Sequence, residues 1–267
     1  MKSEQAYAWG VQGYAGNFTN PYEWAKELIP KLNLTGNESV LDIGCGDGKV
    51  TALLASYLPH GKVVGIDNSE EMITVARKNF PQHRYGNLTF LRMDARQLTF
   101  REQFDVAFSN SYLHWIIDHQ TVLAGVYESL DKKGQLLFQM SGQGNAQDLL
   151  SVLEELISEE DCKPYFKNFT FPYGFYGPEE YNVWLREAGF TPKRVELINT
   201  TVKLKGKTSL VRWIKTNWLP FTERVPENLR DSFIREVAER YLAAYPLDAA
   251  GMANIKLVRL EVQATKI

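Results

Sequence analysis

The spacing of apolar positions changes period along this chain, and the changes mark its elements. Val40–Ile43 is a short β-branched and aliphatic run of the kind a buried strand carries. Behind it Val50, Leu53, Leu54, Tyr57 and Leu58 recur at helical spacing, which predicts an amphipathic helix over Lys49–Leu58. The alternation then repeats. Lys62–Ile66 reads as a strand and Glu70–Asn79 as a helix, followed by strands at Leu88–Met93 and Phe104–Ser109. A helix over Thr121–Leu130 and a strand over Gln135–Met140 complete the series.

That βαβα rhythm predicts an α/β fold: a doubly wound, mostly parallel, Rossmann-like sheet whose ligands sit at the carboxyl ends of its strands. The second half breaks the rhythm. Ala146–Ser158, Glu179–Ala188, Ser209–Trp218 and Glu227–Ala244 read as helices, with Pro178 placed at a helix start. Strand patterning returns at Arg194–Leu204 and closes at Ile255–Thr265, an edge-proximal strand. Residues 141–189 and 207–251 are therefore expected to be helical insertions capping the ligand end of one domain, with ordinary surface helices as the alternative.

Composition narrows the function. At 267 residues and 44% hydrophobic content the chain can bury a full core in one domain. A net charge of −2 supplies no field to gather nucleic acid or an anionic membrane, so neither is an expected partner. Two cysteines are too few for a disulfide scaffold or a zinc site. The N-terminus lacks the apolar segment of a signal peptide, and no run is long enough to span a bilayer. The expectation is a cytoplasmic protein of open oligomeric state. Its partner would be a small molecule and it would hold no metal, since His114, Asp118 and His119 match no compact ligand set.

The chemistry concentrates in VLDIGCGDGKV, where Gly44, Gly46 and Gly48 alternate just behind the first strand. Glycines at that point let the main chain approach a ligand without Cβ atoms in the way. A dinucleotide turn would read G-x-G-x-x-G, but Lys49 occupies its third glycine position. Asp42 precedes the turn, Asp67 ends the second strand and Asp94 ends the third. An aspartate in the second place fits a dehydrogenase as well, so it separates nothing alone. Each could also cap a turn or loop.

Taken together, D-x-G-x-G-x-G, the GID of the second strand and the MDA of the third resemble class I S-adenosylmethionine-dependent methyltransferases. The resemblance implies S-adenosylmethionine as cofactor. It implies that Asp42, Gly44, Gly46 and Gly48 face its methionine part, and that Asp67 holds the ribose hydroxyls beside Asn68. Asp94 and Ala95 would meet the adenine, and Asn110 would lie under the methionine part. A non-catalytic module of the same fold remains the alternative to an enzyme.

The string Leu113-His114-Trp115-Ile116 resembles the juvenile hormone acid methyltransferases, and the stretch from Ser209 to Pro246 resembles the trans-aconitate methyltransferases. Both groups esterify a carboxylate. The likeness implies that Trp115 and Asn20 flank the acceptor carboxylate, although Asn20 stands where the hormone-acid group has glutamine, and Asn before Pro21 is also a favoured N-cap. His114 joins the expected site by its place just after a ligand-facing strand end.

Carboxylate chemistry needs no base. A carboxyl group with a reference pKa of about 4 arrives ionised, so placement and a dry pocket suffice. Amine or phenol methylation would ask for a base, and His114 is the one candidate. Two aromatic stretches, Tyr7–Phe18 and Tyr165–Tyr176, could close as lids or simply pack. If they are lids, the pocket suits an apolar acid, with Arg212 and Lys215 available to a second carboxylate.

Overall fold

The computed structural model describes residues 21–267; Asn20 and the Tyr7–Phe18 arm lie outside them. Strand β1 (Ser39–Ile43) enters the interior at once, with four of its five residues buried. It lies between β2 (Lys62–Asp67) and β4 (Phe104–Asn110) and runs parallel to both. β3 (Leu88–Arg92) extends the sheet beyond β2, and β5 (Leu130–Ser141) extends it beyond β4, again in parallel. β6 (Phe190–Lys205) and β7 (Met252–Lys266) then pair antiparallel along their length, and β7 inserts next to β5. The order is β3-β2-β1-β4-β5-β7-β6, so the closing strand lies one place in from the edge.

Helices α1 (Pro21–Leu28), α2 (Lys49–Ser56) and α3 (Glu70–Asn79) cover one face, where Leu28, Leu54 and Ile73 pack on Val40, Val63 and Val106. Residues one position along each strand, Leu41, Val64 and Ala107, meet Val122 and Val126 of α4 (His119–Ser129) on the other face. This alternation of strand side chains between two helical layers is what makes the runs apolar throughout. Helix starts follow local chemistry. The Ser69 hydroxyl accepts from Met72 N at 3.3 Å to open α3, and Asp118 accepts from Thr121 N at 3.0 Å to open α4.

A third core sits above the sheet. β6 and β7 run 16 and 15 residues against five in β1, and their overhang forms a platform. On it α5 (Gln147–Ser158), a helix at Gly206–Asn217 and another at Glu227–Ala244 bury Leu149, Leu153, Trp213, Ile234 and Tyr241 against Leu204, Ile255 and Leu257.

Two sequence expectations shift. The helix α6 (Pro178–Glu187), placed in the cap by its position in the chain, puts Tyr181 and Leu185 into the core beneath the sheet beside Val122. The strand expected from Gln135 begins at Leu130, because an irregular stretch with Lys133 at φ +67° separates the Phe104–Leu130 pairing from the regular register that resumes at Val106–Gln135.

Candidate active site

A cavity of about 490 Å³ opens at the carboxyl ends of β1, β2, β4 and β5, beneath the cap. Its lower wall is the glycine turn. Past Ile43 the amides of Gly44 and Cys45 turn back onto the Ile66 carbonyl at 2.8 and 2.9 Å. Gly44 has φ +80°, and a Cβ there would stand 1.9 Å from the Tyr112 ring, so no other residue fits. Gly44 and Gly46 line the cavity, while Gly48 sits behind them at the start of α2 against Phe90 and Phe80.

The aspartates divide in role. Asp67 lines the cavity and accepts from Gly46 N at 3.1 Å and Ser69 N at 2.9 Å. Burial raises its pKa against the pull of those amides. Asn68 lines the wall beside it. Asp94 also lines the wall, where it caps the short turn at Ala95–Gln97 and takes a forked contact from Arg96, 2.7 Å at Nη2. The guanidinium holds its pKa below the usual value.

Asp42, expected to face the ligand, lies beneath the turn instead. It is buried, accepts the Thr51 hydroxyl at 2.7 Å and is no part of the wall. Burial pushes its pKa up to about 7, against the Thr51 bond and with repulsion from Asp67 adding to the rise. Ala95 likewise faces the sheet core and not the cavity. Asn110, at the end of β4, donates through Nδ2 to the Pro21 carbonyl at 2.8 Å and leaves Oδ1 buried without a partner.

The opposite wall carries the LHW string, folded as one 3-10 turn. His114 and Trp115 both line the cavity. His114 is half-buried in the wall, and desolvation with a smaller push from His119 lowers its pKa to about 3. Its Nδ1 accepts from Ser141 N in a long contact of 3.4 Å. The expected aromatic cover is present in part. Phe171, Tyr173 and Phe175 line the cavity, with Tyr173 4.8 Å from the Trp115 ring, whereas Tyr176 packs away on His119 and Trp184. His119 bonds Tyr181 Oη at 2.6 Å and the Leu113 carbonyl at 2.8 Å, so it fixes the loop from below.

Comparison with known proteins identifies the family. A family described as "Methyltransferase domain" matches residues 34–189. The chain belongs to that methyltransferase family. Trans-aconitate 2-methyltransferase of Variovorax paradoxus is 29% identical over 252 residues, 91% of this chain and 92% of its own. An uncharacterized methyltransferase of Schizosaccharomyces pombe is 29% identical over 262 residues, 97% and 98% of the two chains. The solved YcgJ protein of Bacillus subtilis shares the fold at TM-score 0.65 and 18% identity, covering 91% of this chain and 98% of that one.

As a methyltransferase the chain takes S-adenosylmethionine as its cofactor, and the residues present fit it. The orphaned Asn110 Oδ1 needs a donor such as the cofactor's ammonium group. Asp67 retains lone pairs beyond the two its amide contacts use, enough for a hydroxyl pair. The turn leaves bare backbone between them. No helix among the described residues is long and apolar enough to cross a membrane.

Sequence reasoning missed much of this methyltransferase's upper wall. Gln139, Asn145, Trp213, Trp218 and Arg259 all line the cavity, and the indole nitrogens of Trp213 and Trp218 are buried without a hydrogen-bond partner. The cations proposed for a second carboxylate are elsewhere. Lys215 pairs with Asp231 at 2.9 Å in solvent, and neither it nor Arg212 reaches the wall.

Proposed function

We propose that this enzyme methylates a carboxylate oxygen of a small acid. The observation that carries the reading is His114: it is the one histidine on the described cavity wall, its Nδ1 faces the Ser141 amide, and desolvation lowers its pKa to about 3, a poor match for a general base at neutral pH. The wall's carboxylates, Asp67 and Asp94, are taken up with the Gly46 and Ser69 amides and with Arg96, which leaves an acceptor that must lose a proton without a free base. A carboxylate arrives without that proton. The trans-aconitate relatives at 26–29% identity support an acid acceptor without naming this one.

In this reading Gly44, Gly46, Asp67, Asn68, Asp94 and Asn110 hold the cofactor, with Asp42 and Gly48 bracing the turn and Ala95 the adenine loop from behind. When bound, S-adenosylmethionine supplies a methyl carbon on a sulfonium, open to in-line displacement by an acceptor oxygen. The protein's part is alignment and exclusion of water. Trp115 and the stacked pair Tyr173 and Phe175, 5.0 Å apart, wall off the acceptor side, and the Trp213 and Trp218 indoles offer donors to its oxygens. Charge is neutralised as a carboxylate meets a sulfonium, so a low-dielectric enclosure favours the reaction. Asn20 lies outside the described residues and keeps its place as an expectation only.

The test is a panel of fatty, terpenoid, aromatic and tricarboxylic acids incubated with labelled S-adenosylmethionine. A base-labile methyl ester is expected. An amine, thiol or hydroxyl acceptor labelled in preference to every acid would overturn the carboxyl assignment.

A further inference from the structure

Arg259 reaches the cavity from β7, whose antiparallel course carries its first half to the ligand end of the sheet. It stands in register with Ser141, the last residue of β5 and the one whose amide meets His114. Its side chain is only 12% exposed, and Nε is buried with no hydrogen-bond partner. Among the described residues the carboxylate nearest to it is Glu27 at 3.9 Å, which is 69% exposed. A guanidinium so enclosed and so weakly compensated is poised for an anion.

Its aim is fixed by neighbours that have no anion to spare. Nη1 donates to Gln139 Oε1 at 3.2 Å, and the guanidinium lies over Trp24, 4.9 Å from the ring centre. Gln139 in turn donates through Nε2 to Glu261 at 3.3 Å, which orients its amide oxygen toward Arg259. Glu261 is buried, and it is already paired with Lys31 at 2.7 Å and with Arg194. The ladder therefore holds the arginine in place without neutralising it.

We infer that Arg259 is a specificity-determining residue that binds a carboxylate group of the acceptor, posed for it by Gln139 and Trp24. This deepens the reading of the site as a carboxyl methyltransferase. A planar fork suits a planar carboxylate, and the unused Nε is one of its donors. Gln139 pairs with Asn110 in the sheet, so Arg259 stands near the residues given to the cofactor, and S-adenosylhomocysteine affinity must be measured beside acid binding to separate the two roles.

Calorimetry on the protein loaded with S-adenosylhomocysteine tests this directly. The probes are tricarballylate, benzoate and decanoate, each beside its neutral primary amide. At least one acid should bind wild type at least tenfold more tightly than its amide, since hydrogen bonds to a charged group carry that much. Arg259→Gln should erase the preference while S-adenosylhomocysteine affinity holds, and free guanidinium should restore part of it. Arg259→Lys, which keeps the charge and loses the fork, should fall between the two and serves if the glutamine variant fails to fold. Equal binding of acids and amides by wild type, or an acid preference untouched in both variants, would overturn the inference. Acid binding lost in the variant while wild type methylates only amines or hydroxyls would uphold Arg259 and sink the carboxyl reading alone.

Discussion

Thr51 reaches from the first turn of α2 to donate its hydroxyl to Asp42 beneath the glycine turn, 2.7 Å away. The carboxylate it meets is buried, and its pKa rises from 3.8 to about 7. A folded-state pKa above the unfolded one means that the native protein holds the proton between those values. The group's contribution to stability is thus full below pH 3.8 and lost as pH rises through 7. A nearby cation reverses the balance. S-adenosylmethionine carries one positive charge more than S-adenosylhomocysteine, so its relative affinity should rise between about pH 6 and 8, with proton release on binding. Titration of both ligands across that range should show the trend, and Asp42→Asn should flatten most of it.

Gly44→Ala should be severe. Its Cβ would fall 1.9 Å from the Tyr112 ring at a backbone φ of +80°, so ring and turn must both move. A loss of about 2–4 kcal/mol is expected from strain and displaced packing together. Urea unfolding reads the stability, and S-adenosylhomocysteine titration should show binding weakened at least tenfold.

His114→Asn should leave most of the activity. Removing a general base typically costs about 10²–10⁴ in rate, whereas an asparagine oxygen can still accept from Ser141 N as Nδ1 does. Turnover within about tenfold of wild type, with a rate flat from pH 6 to 8, is the outcome that matches a pKa near 3. A collapse in rate, or a wild-type rate rising through a midpoint near 6.5, would return His114 to the role of base.

His119 makes the protein acid-sensitive. Burial lowers its pKa from 6.5 to about 4, and that of His114 to about 3. The unfolded chain therefore binds protons that the native one refuses. Stability from this pair is full above pH 6.5 and drains away as pH falls through 4 toward 3. His119→Ala should cost about 2–4 kcal/mol at pH 7, because Tyr181 Oη loses its 2.6 Å partner and a buried ring is removed. Denaturation midpoints at pH 5 and 7.5 should lie closer together in the variant than in wild type.

The cofactor half of the site was legible because its determinants are local. β1 and β4 are largely buried and read as apolar runs, β2 and β3 carry enough apolar positions to be placed beside them, and the residues at the strand ends follow within a few positions. Asp67, Asp94 and Asn110 could be placed by counting. What counting could not show is depth: Asp42 and Gly44 are two residues apart, yet one braces the turn and the other lines the cavity. The acceptor half depends on pairing over long separations. Arg259 meets Gln139 across 120 residues, and only the antiparallel insertion of β7 brings them together. A lone arginine in an alternating strand carries no mark of that. The same holds for α6, whose Tyr181 finds His119 across 62 residues and so belongs to the sheet and not the cap.

The insertion of β7 between β5 and β6 also bears on how the chain can be cut. Without Met252–Lys266, β5 and β6 would each present an unsatisfied backbone edge and have no strand in common. The platform beneath the cap would lose Ile255 and Leu257 in the same stroke. A chain interrupted before residue 252 would therefore keep the glycine turn and its aspartates as sequence, while exposing two adhesive strand borders and no finished pocket between them. Clipping by a protease near Gly251 should accordingly lead to precipitation before it leads to a slower enzyme.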